Sequence, residues 1–169
     1  MPKTALFVSL LFFLVLATLG GCYSFTGSSL PVHLKTIAIP VFEDRSGAGI
    51  AQFRGEITGG LANKIEAQSP LRMTPSMARA NAVLEGAITS FSDAPSQLSS
   101  ITERAMTNRV TLVVQVRMVD RVKKTTLFEQ SVVGFSDYRT GNAIAQQEAF
   151  RSCVVQIIDQ VFDLVVSGW

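Results

Sequence analysis

The sequence predicts an α+β fold, a two-layer sandwich in which about four mainly antiparallel strands pack against two helices in the order β-α-β-β-β-α. Residues 50–68 and 143–166 repeat apolar side chains at spacings of three and four, the period of a helix with one buried face. Residues 108–120 alternate apolar and other side chains with the period of a strand. One-sided helices and an alternating sheet bury each other most simply as two layers.

The first strand is predicted at residues 35–42. Pro40 either ends this strand or restricts it to an edge of the sheet, because proline cannot donate a hydrogen bond to a neighbouring strand. Residues 43–47 are polar and predict a turn. The first helix follows, and its apolar stripe consists of Ile50, Phe53, Ile57, Leu61 and Ile65.

Two adjacent glycines, Gly59 and Gly60, interrupt this helix, and each costs up to about 1 kcal/mol relative to alanine. The pair predicts a close backbone approach or a bend. Ser69 and Pro70 end the helix, and residues 71–74 predict a short extended piece.

Three further segments complete the predicted sheet. Residues 82–91 predict a strand in which Gly86 marks a β-bulge. Residues 92–107 keep no period and are rich in small polar side chains, which predicts a long mobile connection. The alternating strand at 108–120 comes next, and a short polar connector at 121–126 then predicts a hairpin with a returning strand at 127–138.

The second helix, residues 143–166, follows a polar turn and has a broad apolar face. Its stripe consists of Phe150, Val154, Ile157, Val161 and Val165, backed by Ile158, Phe162 and Leu164. Cys153 falls on the same face, which predicts a buried, inert thiol acting as a small apolar side chain.

The N-terminus has the order of a secretory signal: Lys3, an apolar run over residues 5–17, and then Leu19-Gly20-Gly21-Cys22. A cysteine directly after Leu-Gly-Gly resembles a bacterial lipobox, in which the thiol is acylated and the chain is cut just before it. The alternative is an uncleaved signal-anchor helix, which needs about 20 apolar residues to cross a bilayer. The run from Ala5 to Leu19 is too short for that.

These signals divide the chain into a lipoprotein signal peptide at 1–21, a lipidated N-terminus and tether at 22–33, and a single α+β domain at 34–169. Two or more acyl chains anchor a protein stably, whereas one chain binds reversibly. We therefore expect Cys22 to carry a covalent lipid and the chain to need no other cofactor. Position 23 is Tyr rather than the Asp that favours inner-membrane retention in enteric bacteria, so the outer membrane is the expected destination.

Composition argues against several classes of function. Fifteen basic and 13 acidic residues leave a net charge of +2, too small a field to attract nucleic acid. Only two cysteines are present, so a lipidated Cys22 leaves Cys153 without an intramolecular disulfide partner.

Few side chains are available for catalysis, and we expect no enzymatic activity. His33 is the only histidine, no nucleophile motif accompanies it, and a loop or edge residue is the better interpretation than a catalytic base. The sequence contains no zinc-ligand spacing and no phosphate-binding loop. Glu43 and Asp44 are adjacent and point in different directions on an extended chain, so they predict a solvated turn.

Basic residues cluster in the predicted connection and hairpin. Because Lys and Arg bind phosphate through charge-assisted hydrogen bonds, they form either a solvated rim of the sheet or a contact for an anionic lipid headgroup. These residues are Arg104, Arg109, Arg121, Lys123 and Lys124.

Several stretches of the mature chain together resemble the LptE family of lipopolysaccharide-assembly lipoproteins, in the form found outside the proteobacteria. They are the lipobox with Tyr23-Ser24-Phe25, residues 34–44 (LKTIAIPVFED), residues 81–88 (NAVLEGAI) and residues 109–114 (RVTLVV). The resemblance covers essentially the whole mature chain and implies a sheet backed by two helices.

The resemblance also implies a non-enzymatic role beside an outer-membrane barrel protein, LptD, within whose lumen the body would lodge. The role comprises helping the barrel to assemble, plugging it, and assisting insertion of lipopolysaccharide into the outer leaflet. Basic loop residues contact lipopolysaccharide in this family, which makes Arg121, Lys123 and Lys124 the candidates here. The implied location is the outer membrane, lipid-anchored, with the body facing the periplasm or inside the barrel.

Two other classes stay open at this point. A periplasm-facing lipoprotein that regulates cell-wall enzymes or joins a secretion channel can also begin with a strand like that at residues 37–43 followed by a helix. The long hairpin from Asn108 to Tyr138 favours the barrel subunit. A lipid-bound enzyme is disfavoured because no catalytic group of residues is evident.

Overall fold

Two helices pack on one face of a six-stranded mixed sheet in the computed structural model, which describes residues 30–98 and 105–167. The elements are β1 (Thr36–Ala38), β2 (Glu43–Asp44), α1 (Ala51–Gln68), β3 (Arg72–Met73), β4 (Ala82–Leu98), β5 (Ala105–Asp120), β6 (Thr125–Arg139) and α2 (Ala143–Val166). The predicted α+β class is confirmed. The sheet has six strands rather than about four because β2 and β3 each add a two-residue strand.

The sheet combines a short parallel part with a long antiparallel part. Its order is β3-β1-β4-β5-β6, and β2 pairs with β4 beyond the end of β1. The strands β1, β2 and β3 run parallel to their neighbours, whereas β4, β5 and β6 form an antiparallel meander. A parallel pair needs a crossover connection, and α1 supplies it between β1 and β3.

The core lies between this sheet and the two helices. The alternation predicted for β5 is confirmed: its inward residues Val110, Leu112, Val114, Val116 and Met118 are almost completely buried. Both helices bury most of their predicted stripes. The elements α1, β4 and α2 meet where the rings of Phe53, Phe91 and Phe150 pack at tilted and edge-to-face angles, with centroids 5.7–6.1 Å apart.

Cys153 lies in this core, as predicted for an inert thiol. Burial raises the pKa of the Cys153 thiol to about 11, so the thiolate, which is the reactive form, is scarce near neutral pH. Within the described ranges, no helix is both long and apolar enough to cross a membrane.

The prediction of a long mobile connection at residues 92–107 is wrong over the described part, because β4 continues to Leu98 and β5 begins at Ala105. The strand period is hidden in the sequence because inward positions near this end are polar. The Asp93 carboxylate accepts hydrogen bonds from the Tyr138 hydroxyl at 2.7 Å and from the Gln146 amide at 2.8 Å. Pro95 is tolerated because this half of β4 pairs with β5 on one side only and has a free edge on the other, beyond its pairing with β2.

Two smaller predictions near the first strand are also wrong. The strand expected at 35–42 is only three residues long, and Glu43 and Asp44 pair with β4 before the chain turns. Gly86 is not a bulge: it pairs regularly with Val116, and the nearest register shift lies between Ile88 and Ser90. A Cβ atom at Gly86 would lie 2.3 Å from the buried Phe42 ring, so close packing is the reason for glycine there.

The adjacent glycines of α1 differ in their surroundings. A Cβ atom at Gly60 would lie 2.5 Å from the Ile158 Cδ1 atom of α2, so the close contact there is with a side chain and not the predicted backbone approach, whereas Gly59 faces open space. We expect Gly59→Ala to raise the free energy of unfolding by about 0.5–1 kcal/mol, because it removes the helix penalty of glycine without a clash. Urea denaturation measures the gain in stability. The matched comparison is Gly60→Ala in the same helix, where the added Cβ atom would meet Ile158. A Gly59→Ala chain no more stable than the parent would contradict the prediction.

Candidate lipid-contact turn

The turn between β5 and β6 brings the three predicted contact residues together. Arg121, Lys123 and Lys124 are all exposed in residues 121–124. Lys124 takes a left-handed backbone conformation with φ of 56°, which closes the turn. The backbone N–H of Arg121 donates to the carbonyl of Asn81 at 2.8 Å, so the turn is also fixed to the start of β4.

A buried carboxylate, Asp120, organises this turn. Its Oδ1 atom accepts backbone hydrogen bonds from Val122 at 2.8 Å and from Lys123 at 2.9 Å. Its Oδ2 atom lies 2.6 Å from Nε2 of His33. Asp120 is the one fully buried charged side chain in the described residues. It therefore connects the turn to the segment that leads into β1.

The surroundings of Asp120 favour its charged form. Burial by itself raises the pKa of the Asp120 carboxyl, but hydrogen bonds from the Lys123 amide, His33 and the Val122 amide outweigh burial and hold the pKa below its ordinary value. A lowered pKa in the folded chain means that the carboxylate stabilises the fold above pH 3.8, its ordinary pKa. This contribution is lost as pH falls through the lower pKa of the folded state.

Replacing Asp120 by alanine is expected to lower the free energy of unfolding by about 2–3 kcal/mol near neutral pH, because two backbone N–H groups of the turn lose a buried, charged acceptor and His33 loses its contact. Urea denaturation of parent and variant at pH 7, and at steps below pH 3.8, measures the loss, which should shrink as the pH falls. The control is Asp159→Ala, whose partially exposed pair with Lys64 contributes less than about 1 kcal/mol. Equal losses in the two variants would refute the role assigned to Asp120.

The face of the sheet opposite the helices is a second candidate surface. A small buried cluster of Ala38, Ala80 and Val83 covers this face beside β1, but the described residues leave the face open along β5 and β6, where Phe135 and Val133 are 51% and 42% exposed. The guanidinium of Arg109 lies 4.9 Å from the centre of the Phe135 ring and pairs with Asp137 at 2.7 Å. Towards the other end, Arg117 lies between Glu85 and Glu129 in the strand register.

A groove of about 390 Å³ lies on this open face beside β2. Its lining mixes charges of both signs with apolar side chains, including Glu43, Arg45, Met77, Glu85, Arg117 and Glu129. In the described part of the chain, no group of three or more His, Cys, Asp or Glu is placed to hold a metal ion.

The predicted residues fall in different places. His33 lies in the segment that leads into β1 and contacts one side chain, Asp120. Arg109 lies on the open face of the sheet and not in the turn. Cys22 and Arg104 lie outside the described residues. Asp120 was not predicted as a site residue, although an Asp just before a polar connector is a known turn signal because its carboxylate binds backbone N–H groups nearby.

The fold and these surfaces define a small α+β protein with one helical face and one open sheet face. Solved structures share this fold. A lipoprotein B from Nitrosomonas europaea is 14% identical, with 85% of this chain and 88% of that one covered and a TM-score of 0.56. The protein CT253 from Chlamydia trachomatis is 12% identical, with 78% and 97% covered and a TM-score of 0.54. These identities show the fold alone.

The family model described as LptE, lipopolysaccharide-assembly, matches residues 34–167, and the chain belongs to this family. The resemblance seen in the sequence is therefore confirmed, and membership assigns the chain a general role in lipopolysaccharide assembly. A search of curated proteins returned no match.

Proposed function

We propose that this chain is an outer-membrane lipoprotein that helps an LptD-like barrel to assemble, plugs it, and assists insertion of lipopolysaccharide into the outer leaflet. In this proposal residues 1–21 are removed, Cys22 carries the lipid, residues 22–33 form the tether, and the domain at 34–169 acts without catalysis. The observation that carries the proposal is the open face of the long meander β4–β6.

The length of that face suits a barrel lumen. The strands β4, β5 and β6 have 17, 16 and 15 residues. At about 3.3 Å per residue, the meander is roughly 50 Å long. The hydrocarbon core of a bilayer is about 30 Å thick, so a body of this length can extend through a membrane barrel.

The chemistry of the face suits the same partner. The interior of a membrane β-barrel is polar, so a plug needs hydrogen-bonding groups on its contact surface. Alternation along the meander directs small polar and amide side chains away from the helices, including Ser92, Thr107, Thr111, Gln115 and Ser131. Phe135 and Val133 add a compact apolar area at which a partner gains affinity by excluding water.

We assign contact with lipopolysaccharide to Arg121, Lys123 and Lys124. Their side chains are exposed, and in the part of the chain that is described none of them forms an ion pair. Phosphate groups on the lipid would accept charge-assisted hydrogen bonds from them.

The test is purification of the tagged full chain from its native membrane in mild detergent. We expect a protein of outer-membrane barrel size to be recovered with it. Phe135→Asp should reduce this recovery at least tenfold, because it places a charge at the proposed contact. The matched control is Val155→Asp, on a similarly exposed apolar residue of α2. Recovery of the chain alone, or with a peptidoglycan synthase, would contradict the proposal.

A further inference from the structure

One end of the sheet is strongly cationic. It is formed by three loop segments, at residues 30–35, 69–81 (which includes the two-residue strand β3) and 121–124, which we call the cationic end. These loops contain six Lys and Arg residues and no Asp or Glu, although the whole chain has a net charge of only +2. All six side chains are exposed: Lys35, Arg72, Arg79, Arg121, Lys123 and Lys124.

Hydrogen bonds hold the three loops together. The Asn81 carbonyl accepts from the Arg121 amide, and the Asn81 side-chain oxygen accepts from the Lys35 amide at 3.1 Å. The Arg72 amide donates to the Lys35 carbonyl at 2.9 Å. None of the six cationic side chains forms an ion pair with another residue of 30–98 or 105–167. The positive charge is therefore concentrated at this end, and the buried Asp120 carboxylate beside the turn, which binds backbone N–H groups, offsets only part of it.

Two exposed apolar side chains project from the same end. Val32 is 92% exposed and Val122 is 57% exposed. Both positions are fixed through Asp120, because His33 contacts its Oδ2 atom and the Val122 amide binds its Oδ1 atom. Exposed apolar side chains surrounded by Lys and Arg are typical of a surface that inserts shallowly among anionic lipid headgroups.

The place where the chain enters the domain, at residues 30–35, indicates which surface the cationic end meets. Leu30 is eight residues after Cys22, so the two Cα atoms are at most about 29 Å apart. The contact between His33 and Asp120 places this entry beside the β5–β6 turn. If Cys22 is acylated, the cationic end cannot be far from the membrane that holds the lipid.

We propose that the cationic end docks on the anionic phospholipid surface in which the acylated Cys22 is anchored, and so orients the long axis of the sheet relative to that membrane. This inference rests on the lipid anchor of the proposed function, and it gives Arg121, Lys123 and Lys124 a second anionic ligand besides lipopolysaccharide. Lys and Arg near an anionic surface each strengthen attachment, so the six residues act together with the acyl chains. The contact between His33 and Asp120 makes the orientation specific, because it prevents the tether from swinging away from the turn.

The test uses the full lipidated chain in vesicles that contain phosphatidylglycerol, with a nitroxide quencher on the lipid headgroups. A fluorophore is attached at Thr125→Cys beside the turn, or at Thr140→Cys at the far end of β6. Labelling is selective because Cys153 is buried and Cys22 is acylated. We expect strong quenching at position 125 and little at position 140, with loss of the difference at high salt.

Charge reversal separates docking from simple tethering. Arg79→Glu combined with Lys123→Glu should reduce the docked fraction at least about tenfold. The matched control, Arg139→Glu with Arg151→Glu, removes as many charges from exposed positions outside the three loops and should leave quenching unchanged. Equal quenching at the two positions, or equal effects of the two double variants, would overturn docking.

Flotation of the same vesicles tests the anchor independently. If the lipidated chain does not float with them, the lipid anchor fails and the docking inference fails with it. If it floats but the two positions are quenched alike, docking alone is overturned. Quenching that requires lipopolysaccharide in the vesicles would overturn the phospholipid assignment and leave the proposed lipopolysaccharide contact in place.

Discussion

Replacing Gly134 by alanine is expected to lower the free energy of unfolding by about 3 kcal/mol. Gly134 lies on β6, where the backbone of α2 crosses the strand. An added Cβ atom would lie 2.5 Å from the carbonyl oxygen of Cys153 and 3.1 Å from its carbonyl carbon. A helix backbone cannot rotate aside as a side chain can, so α2 would have to move away from the sheet and leave packing defects over β5 and β6.

Urea denaturation of the parent and of Gly134→Ala measures this loss. The control is Gly55→Ala on the exposed side of α1, where an added Cβ atom meets nothing within 4 Å. That change should be neutral or stabilising. A loss below about 0.5 kcal/mol for Gly134→Ala would show that α2 can shift at little cost, and that the close approach does not determine the packing.

Replacing Cys22 by serine is expected to release the protein from the membrane. A serine hydroxyl does not enter the thioether chemistry of lipoprotein acylation, so the variant has no acyl chains. Each methylene of an acyl chain buried in the bilayer contributes about 0.8 kcal/mol, and two or more chains give stable attachment.

Fractionation followed by alkaline washing of the membranes measures the release. The parent should stay in the washed membrane, and Cys22→Ser should leave it almost completely. The control is Cys153→Ala at the other cysteine, which lies in the core and should not alter location. If Cys22→Ser also resisted the wash, the N-terminal apolar run would be acting as an uncleaved anchor instead of a removed signal.

The two long helices are the best predicted part of the fold. Predicted at 50–68 and 143–166, they are observed at Ala51–Gln68 and Ala143–Val166. Their ends carry local signals: Ser69 and Pro70 end α1, and the Asn142 side chain accepts from the Ala145 amide to begin α2. Such signals act over a few residues, so they can be read without the rest of the chain.

The end of β4 at residues 92–98 and the start of β5 at residues 105–107 could not be predicted in the same way. Asp93 and Asn108 occupy inward positions where a strand pattern requires apolar residues, and Tyr138 from β6 supplies their hydrogen-bond partner. Gly86 was interpreted as a bulge because its actual constraint, the ring of Phe42, comes from a residue 44 positions earlier. Pairs separated this far in sequence leave no periodic trace.

The candidate lipid-contact turn likewise combines features that are local in sequence with contacts between distant residues. The sequence by itself determined the α+β class, both helices, the alternating strand and the basic turn at Arg121, Lys123 and Lys124, because each depends on residues that are close along the chain. Only the tertiary structure decided that Asp120 holds this turn to His33, and that Lys35, Arg72 and Arg79 join it at one end of the sheet. The pairing of β1 with β3 and β4 brings those three segments together, and this pairing depends on burial of the whole core rather than on any local pattern.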